Sequence, residues 1–243
     1  MNYFIAVMAL LFFVPVLYGL AKGPSKFRKQ AKQIIQYTSK KGYVLANPSV
    51  SQIADSSAME LLKNPAFKSF VKGSEDIGGI REFENGTEDP FAFTCILRSK
   101  EVMIFNFSVP TQSANTQSGS INYKVAKIKN PGLPRFHLGK HSIVDTVENI
   151  VDKIAGKPKS DIHVDPQQFP EFSEHFWLKG PDGTRVLTFL SADKIRFLES
   201  AKLKGTLATN AVYLVYFEFG IMRSESDFDS FIATAESIIA SLL

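Results

Sequence analysis

Residues 91–109 read FAFTCILRSKEVMIFNFSV. Phe91, Phe93, Cys95 and Leu97 alternate along this stretch, which is the period of a strand with one buried face. Arg98-Ser99-Lys100 is turn-like, and Val102, Ile104 or Phe105, and Phe107 then make a second apolar strand. Two such runs joined by a short polar link predict an antiparallel hairpin. The pattern extends on both sides. Ile80 to Phe83 offers an earlier strand, closed by Glu84-Asn85-Gly86. Residues 111–120 (TQSANTQSGS) are polar and low in complexity and read as a flexible loop. Ile121 to Ile128 resumes a strand, and Arg135 to Leu138 gives another. The stretch therefore predicts an antiparallel meander.

Helical periods surround it. In residues 25–41, Phe27, Ala31, Ile34, Ile35 and Thr38 recur at helical spacing, and Gly42 suits the position just past a helix end. Residues 57–72 carry a short apolar-periodic piece (Met59, Leu61, Leu62, Phe67, Phe70) interrupted at Asn64-Pro65. Ser142 to Asp145 resembles a capping box. It opens a stripe of Ile143, Val147, Ile150, Val151 and Ile154 that stops at Gly156. A short strand is expected at 161–165, another from Phe172 to Leu178, a turn at Pro181-Asp182-Gly183, and a helix over 184–199 broken near Ser191. Val212 to Phe219 is a strongly apolar strand. Ser224-Glu-Ser-Asp227 then opens a closing helix with Phe228, Phe231, Ile232, Ala235, Ile238, Ile239 and Leu242 on one stripe. The fold class expected is α+β: antiparallel sheet packed with a few amphipathic helices. Residues 42–243 form the soluble domain, with 130–160 as the place where two subdomains would part.

Composition agrees with a folded domain. With 44% apolar residues and 21 Phe among 243, there is ample core material. The net charge of +4 is unevenly placed. Lys22, Lys26, Arg28, Lys29, Lys32, Lys40 and Lys41 lie before residue 42, where there is no acid, leaving 21 bases against 24 acids in the rest. The body is thus mildly acidic. This argues against nucleic acid and for a membrane surface as the partner of the basic stretch.

Residues 3–21, YFIAVMALLFFVPVLYGLA, carry no charged side chain. Nineteen residues of helix span about 28 Å, near the hydrocarbon thickness of a bilayer. Tyr3 and Tyr18 stand where interfacial aromatics would lie, and Pro15 is tolerated in a membrane helix. Residues 1–22 are therefore expected to be a single transmembrane anchor. Residues 23–41 follow as a basic juxtamembrane helix, with Lys22, Lys26, Arg28, Lys29 and Lys32 at the membrane surface. Bases after the apolar run place the domain on the cytoplasmic side. The alternative is a cleaved signal peptide with Gly19-Leu20-Ala21 as its cleavage site, which would put the domain outside. The apolar stripe of the basic helix has two uses: lying on anionic lipid, or packing on the domain. The second is the expectation.

The order of features resembles a known group. An apolar anchor and a basic helix ending in Gly42-Tyr43 come first. IREFENGTEDPFAFTCILRSKEVMIFNFSV follows, then DPQQFPEFSEHFWLKGPD, a helix, AVYLVYFEF and a closing amphipathic helix. Over most of its length the chain resembles a widespread group of uncharacterised bacterial membrane-anchored proteins with a cytoplasmic α+β domain. The resemblance implies a single-pass protein of the bacterial inner membrane and assigns no catalytic residue.

Chemistry-bearing residues are few. His137 and His141 are four apart, but Gly139 lies between them and no acid is adjacent. Asp161, His163 and Asp165 alternate, and on a strand they would share one face that could take a divalent cation. The commoner use of such a row is the wet face of an edge strand. Glu171, Glu174 and His175 follow closely. Cys95 is the single cysteine and sits among alternating phenylalanines, so it reads as a buried structural thiol with no disulfide. No G-x-S-x-G elbow, phosphate-cradling glycine loop or paired-cysteine zinc motif occurs. Asn85-Gly-Thr87 and Asn106-Phe-Ser108 fit the glycosylation triplet but have no meaning in a bacterial cytoplasm. Trp177 reads as a core aromatic. The functional expectation is a non-enzymatic module that binds an unknown protein partner or scaffolds at the membrane. No cofactor or metal is expected. Two alternatives stand beside it: an exported protein, and an enzyme with a site near 161–175.

Overall fold

A computed structural model describes residues 29–46, 87–88, 91–111, 119–130, 132–141, 161–201, 203–209 and 212–243. The expected anchor, Lys22, Lys26 and Arg28, the piece at 57–72, the strand at 80–83 with its turn, most of the 111–120 loop, and the helix from Ser142 lie outside the described residues.

The described chain is α+β. Helix α1 covers residues 29–41. Strands β1 (Val44–Leu45), β2 (Thr87–Glu88), β3 (Phe93–Leu97), β4 (Lys100–Thr111), β5 (Gly119–Lys129) and β6 (His137–Lys140) follow. Then come α2 (Pro170–His175), β7 (Phe176–Lys179), α3 (Gly183–Phe189), α4 (Ala192–Ser200), β8 (Thr206–Thr209), β9 (Tyr213–Phe219) and α5 (Glu225–Leu242). The strands form one sheet in the order β1-β3-β4-β5-β9-β8-β6-β7, every pair antiparallel. Since β5 holds the other edge of β4, β2 prolongs the β3 side, with Thr87 opposite Ser108.

The expected hairpin is there, and its turn is tight. Leu97 faces Lys100, so Arg98 and Ser99 alone make the reversal, with φ of 47° and 63°. Two left-handed residues match the twist of a two-residue hairpin. The choice between Ile104 and Phe105 resolves in favour of both. Val102 and Ile104 enter a core that receives side chains from all five described helices. Phe105 and Phe107 enter a second cluster on the opposite face, drawn from Ala92 and strands β4, β5, β8 and β9 among the described residues. A central strand buried on both faces loses its clean alternation.

The first core runs from Ala31 in α1 to Leu242 in α5. α1 ends in a Schellman motif: Gly42 has φ +69°, its N–H bonds Ser39 O at 3.3 Å, and Tyr43 N–H bonds Thr38 O at 2.8 Å. Its stripe of Ala31, Ile34 and Tyr37 is buried in the domain core, so α1 packs on the sheet as expected. α5 opens at Ser224 as expected, and its start is a capping box. Ser224 Oγ accepts from Asp227 N–H, and the Asp227 carboxylate accepts from Ser224 N–H. Phe231, Ile232, Ala235, Ile238, Ile239 and Leu242 are buried, and Phe231 stacks on Tyr216 of β9 with ring centres 5.7 Å apart. Each of the larger ones contributes roughly 1.5–3 kcal/mol by leaving water. Asn106 of β4 ties the segment before α5 to the sheet. Its Oδ1 accepts from Met222 N–H at 2.8 Å and its Nδ2 donates to Met222 O at 3.3 Å.

Three expectations change. Phe172 to Leu178 is not one strand: α2 occupies 170–175 and β7 begins at Phe176. Pro170 opens the helix, and Phe169, Phe172 and Phe176 are buried at helical spacing. Residues 161–165 form no strand; Asp161 makes a single bridge to Lys179. Arg135 and Phe136 precede β6 and lie outside it. The 184–199 helix is broken as expected, with Ser191 between α3 and α4.

Candidate functional site

The segment singled out at 161–175 lines a groove at one end of the sheet. β7 is the edge strand there. Residues 161–162 run beside it, with Ile162 N–H bonded to Leu178 O at 2.8 Å. The chain then leaves the strand, because Val164 O is held instead by the Ser173 hydroxyl of α2 at 3.2 Å. The parting opens a groove of about 380 Å³ lined by Ile162, Phe172, Phe176 and Leu178 below and by His141, Asp161, His163, Ser173, Trp177 and Lys179. The volume is at the lower end for small-molecule sites.

Each wall has a local cause. Phe172 N–H, an otherwise unmatched donor in the first turn of α2, bonds Glu199 Oε1 of α4 at 2.9 Å. Trp177 lies across Gly139 of the neighbouring strand, its pairing partner. A Cβ at Gly139 would stand 2.5 Å from the indole Cζ2, so only glycine permits the ring to lie there. Lys179 Nζ sits 5.3 Å from the ring centre. Trp177 is half-buried, and its Nε1 has no hydrogen-bond partner among the described residues.

The three candidate ligands are only partly brought together. Asp161 and His163 are exposed at the groove, and His141 joins them from the end of β6. Asp165 does not reach it. Its carboxylate accepts from Gln167 N–H at 2.9 Å and its carbonyl from Phe169 N–H at 2.9 Å, so it organises the turn before α2. No group of three His, Cys, Asp or Glu side chains able to hold a metal occurs among the described residues. His137 is buried in β6, apart from exposed His141. His175 pairs with Glu171 at 3.3 Å on α2, away from the groove lining. Sequence alternation found Asp161 and His163. It did not find His141 or Trp177 as their neighbours, because the pairing of β6 with β7 sets that contact.

Cys95 is buried as expected. Its thiol faces Val102 O at 3.7 Å, and burial pushes it up to about 11, so it is no nucleophile at neutral pH. Asn106 is buried with its amide bonded to Met222, which leaves no free acceptor for a glycan.

Of the five membrane-surface bases, Lys29 and Lys32 are described, both exposed on the outward side of α1. No described helix is long and apolar enough to cross a membrane. No protein-family model, curated protein or solved structure matches the chain.

Proposed function

We propose that the chain is a single-pass membrane protein whose α+β domain is held on the cytoplasmic side and works by binding or scaffolding another protein. Segregated charge carries this reading. Seven bases and no acid precede residue 42, beside 19 uncharged residues at 3–21. α1 supports it. Its apolar stripe goes into the domain core, and Lys29 and Lys32 are exposed on the other side. The positive-inside bias then selects the cytoplasmic side, and the resemblance to bacterial membrane-anchored proteins points the same way.

The test is fractionation of the full chain. Retention in membranes through an alkaline wash is expected, together with an inactive carboxyl-terminal phosphatase fusion. A mature protein beginning near Lys22, or an active fusion, sinks the reading.

One observation favours a second reading, an enzyme working in the groove: His141, Asp161 and His163 line it together with Trp177. A hydrolytic activity of the purified full chain on model esters or phosphoesters, lost in His163→Ala with an unchanged melting temperature, would support it. A protein partner captured from membranes and retained by that variant would speak against it.

A further inference from the structure

The outward face of α1 is electrically divided along its length. Lys29, Lys32, Gln33, Gln36 and Lys40 are exposed at three- and four-residue spacing, opposite buried Ala31, Ile34, Tyr37 and Thr38. At the carboxyl end the bases are matched. Lys40 lies 2.9 Å from Glu225 and Lys41 2.9 Å from Asp229, both on α5. Lys29 and Lys32 have no acidic partner among the described residues. Among the described residues, then, one end of this face is neutralised and the other is not.

We propose that Lys29 and Lys32 contact anionic lipid headgroups, so that the domain rests on the membrane surface instead of hanging from a slack tether. This rests on the anchor reading above. Residues 22–28 separate the apolar run from Lys29, and extended chain bridges Ala21 to Lys29 over at most about 30 Å. Lys22, Lys26 and Arg28 lie in that connection, so basic residues continue from the run into α1. The face fits headgroups better than it fits a protein. Its apolar residues are turned into the core, leaving lysine and glutamine outside, whereas protein interfaces centre on apolar anchors. An anionic membrane surface needs only charge within about a Debye length, near 8 Å in physiological salt.

Full chain in lipid nanodiscs tests this. A fluorophore placed at Gln33→Cys reports on the face, and one at Arg196→Cys on α4 serves as control; both positions are exposed. Buried Cys95 stays unlabelled. With a quencher on the lipid headgroups, the Gln33→Cys probe should be quenched more than the control. This should happen only in discs that contain phosphatidylglycerol, and added salt should weaken it. Each lysine within the surface potential favours contact about fivefold, so the double variant K29Q/K32Q should loosen it about 25-fold. Equal quenching in purely zwitterionic discs overturns the proposal. So does unchanged quenching in the double variant with an unchanged melting temperature. Quenching that appears in native membrane vesicles but not in anionic discs assigns the lysines to a membrane protein and overturns it too. A chain that leaves the discs at high salt defeats the anchor reading; a retained chain without anionic dependence defeats the lipid contact alone.

Discussion

The Tyr37 hydroxyl donates a 2.8 Å hydrogen bond to Asp229 Oδ1, joining the first described helix to the last across 192 residues of sequence. Lys41 approaches the same carboxylate oxygen at 2.9 Å. Tyr37 is buried against Tyr43, Phe93 and Phe228, with ring centres 5.1 to 6.0 Å away. Tyr37→Phe keeps this packing and removes only the hydroxyl, and Asp229 keeps Lys41. A loss of about 1 kcal/mol is expected in urea unfolding. A loss above about 3 kcal/mol would mean the hydroxyl does more than hold this bond.

Acid should weaken the same clasp. Hydrogen bonds from Lys41, then Tyr37, hold the Asp229 carboxyl below its ordinary range. The N–H of Arg223, then the Ser224 side chain, does the same for Asp227 in the capping box. A carboxyl depressed in the folded state contributes stability that is present above its unfolded value. That stability is lost as pH falls through the folded value. Burial, then a carboxylate neighbour, raises Tyr37 and Tyr216, whose contribution is lost as pH rises above the ordinary tyrosine value. The melting temperature should be flat near neutrality, fall below about pH 4 and fall again above about pH 10. Asp229→Asn should flatten the acid limb; an unchanged limb removes Asp229 from the account.

The hairpin that decides the fold carries removable strain. Arg98 and Ser99 both have positive φ, which glycine and asparagine adopt more readily. The Arg98 side chain reaches Glu236 at 3.5 Å, but both groups are about half-exposed, and such a pair adds little. Replacing the two by Asn and Gly (R98N/S99G) should stabilise the protein by about 1 kcal/mol, read as a raised urea midpoint at constant slope. A lowered midpoint would show that the turn relies on the Arg98 side chain.

Features set by neighbours in sequence were legible. The helix start at Ser224–Asp227, the stripe of α5, the break at Ser191 and the glycine exit at Gly42 are all local, and the structure has each of them. Features set by distant partners were not. β8 is four residues, all buried, with no alternation to mark it, and only its place between β6 and β9 makes it a strand. Phe172 to Leu178 reads as a strand until Pro170 and Glu199 are seen to start a helix there. At the groove, alternation flagged Asp161 and His163. The role of Asp165 depends on the turn it organises, and the presence of His141 depends on the pairing of β6 with β7.

That pairing gives the last prediction an internal probe. Trp177 is the one tryptophan in the chain, so its emission reports on the groove alone. The ring lies where a Cβ on Gly139 would be 2.5 Å from Cζ2 and 2.7 Å from Cε2, and real atoms cannot share that space. Gly139→Ala must therefore move the indole, because the alternative is to break the β6–β7 ladder that continues through Leu138 and His137. The cost expected for such overpacking is about 1–3 kcal/mol. The half-buried ring should become more exposed, with a red-shifted emission and stronger quenching by iodide. Trp177→Phe, a smaller ring, should restore most of the stability when combined with Gly139→Ala, since it removes much of the collision. If Gly139→Ala leaves emission and stability unchanged, Gly139 does not set the position of the indole, and the wall of the groove must be held by other residues.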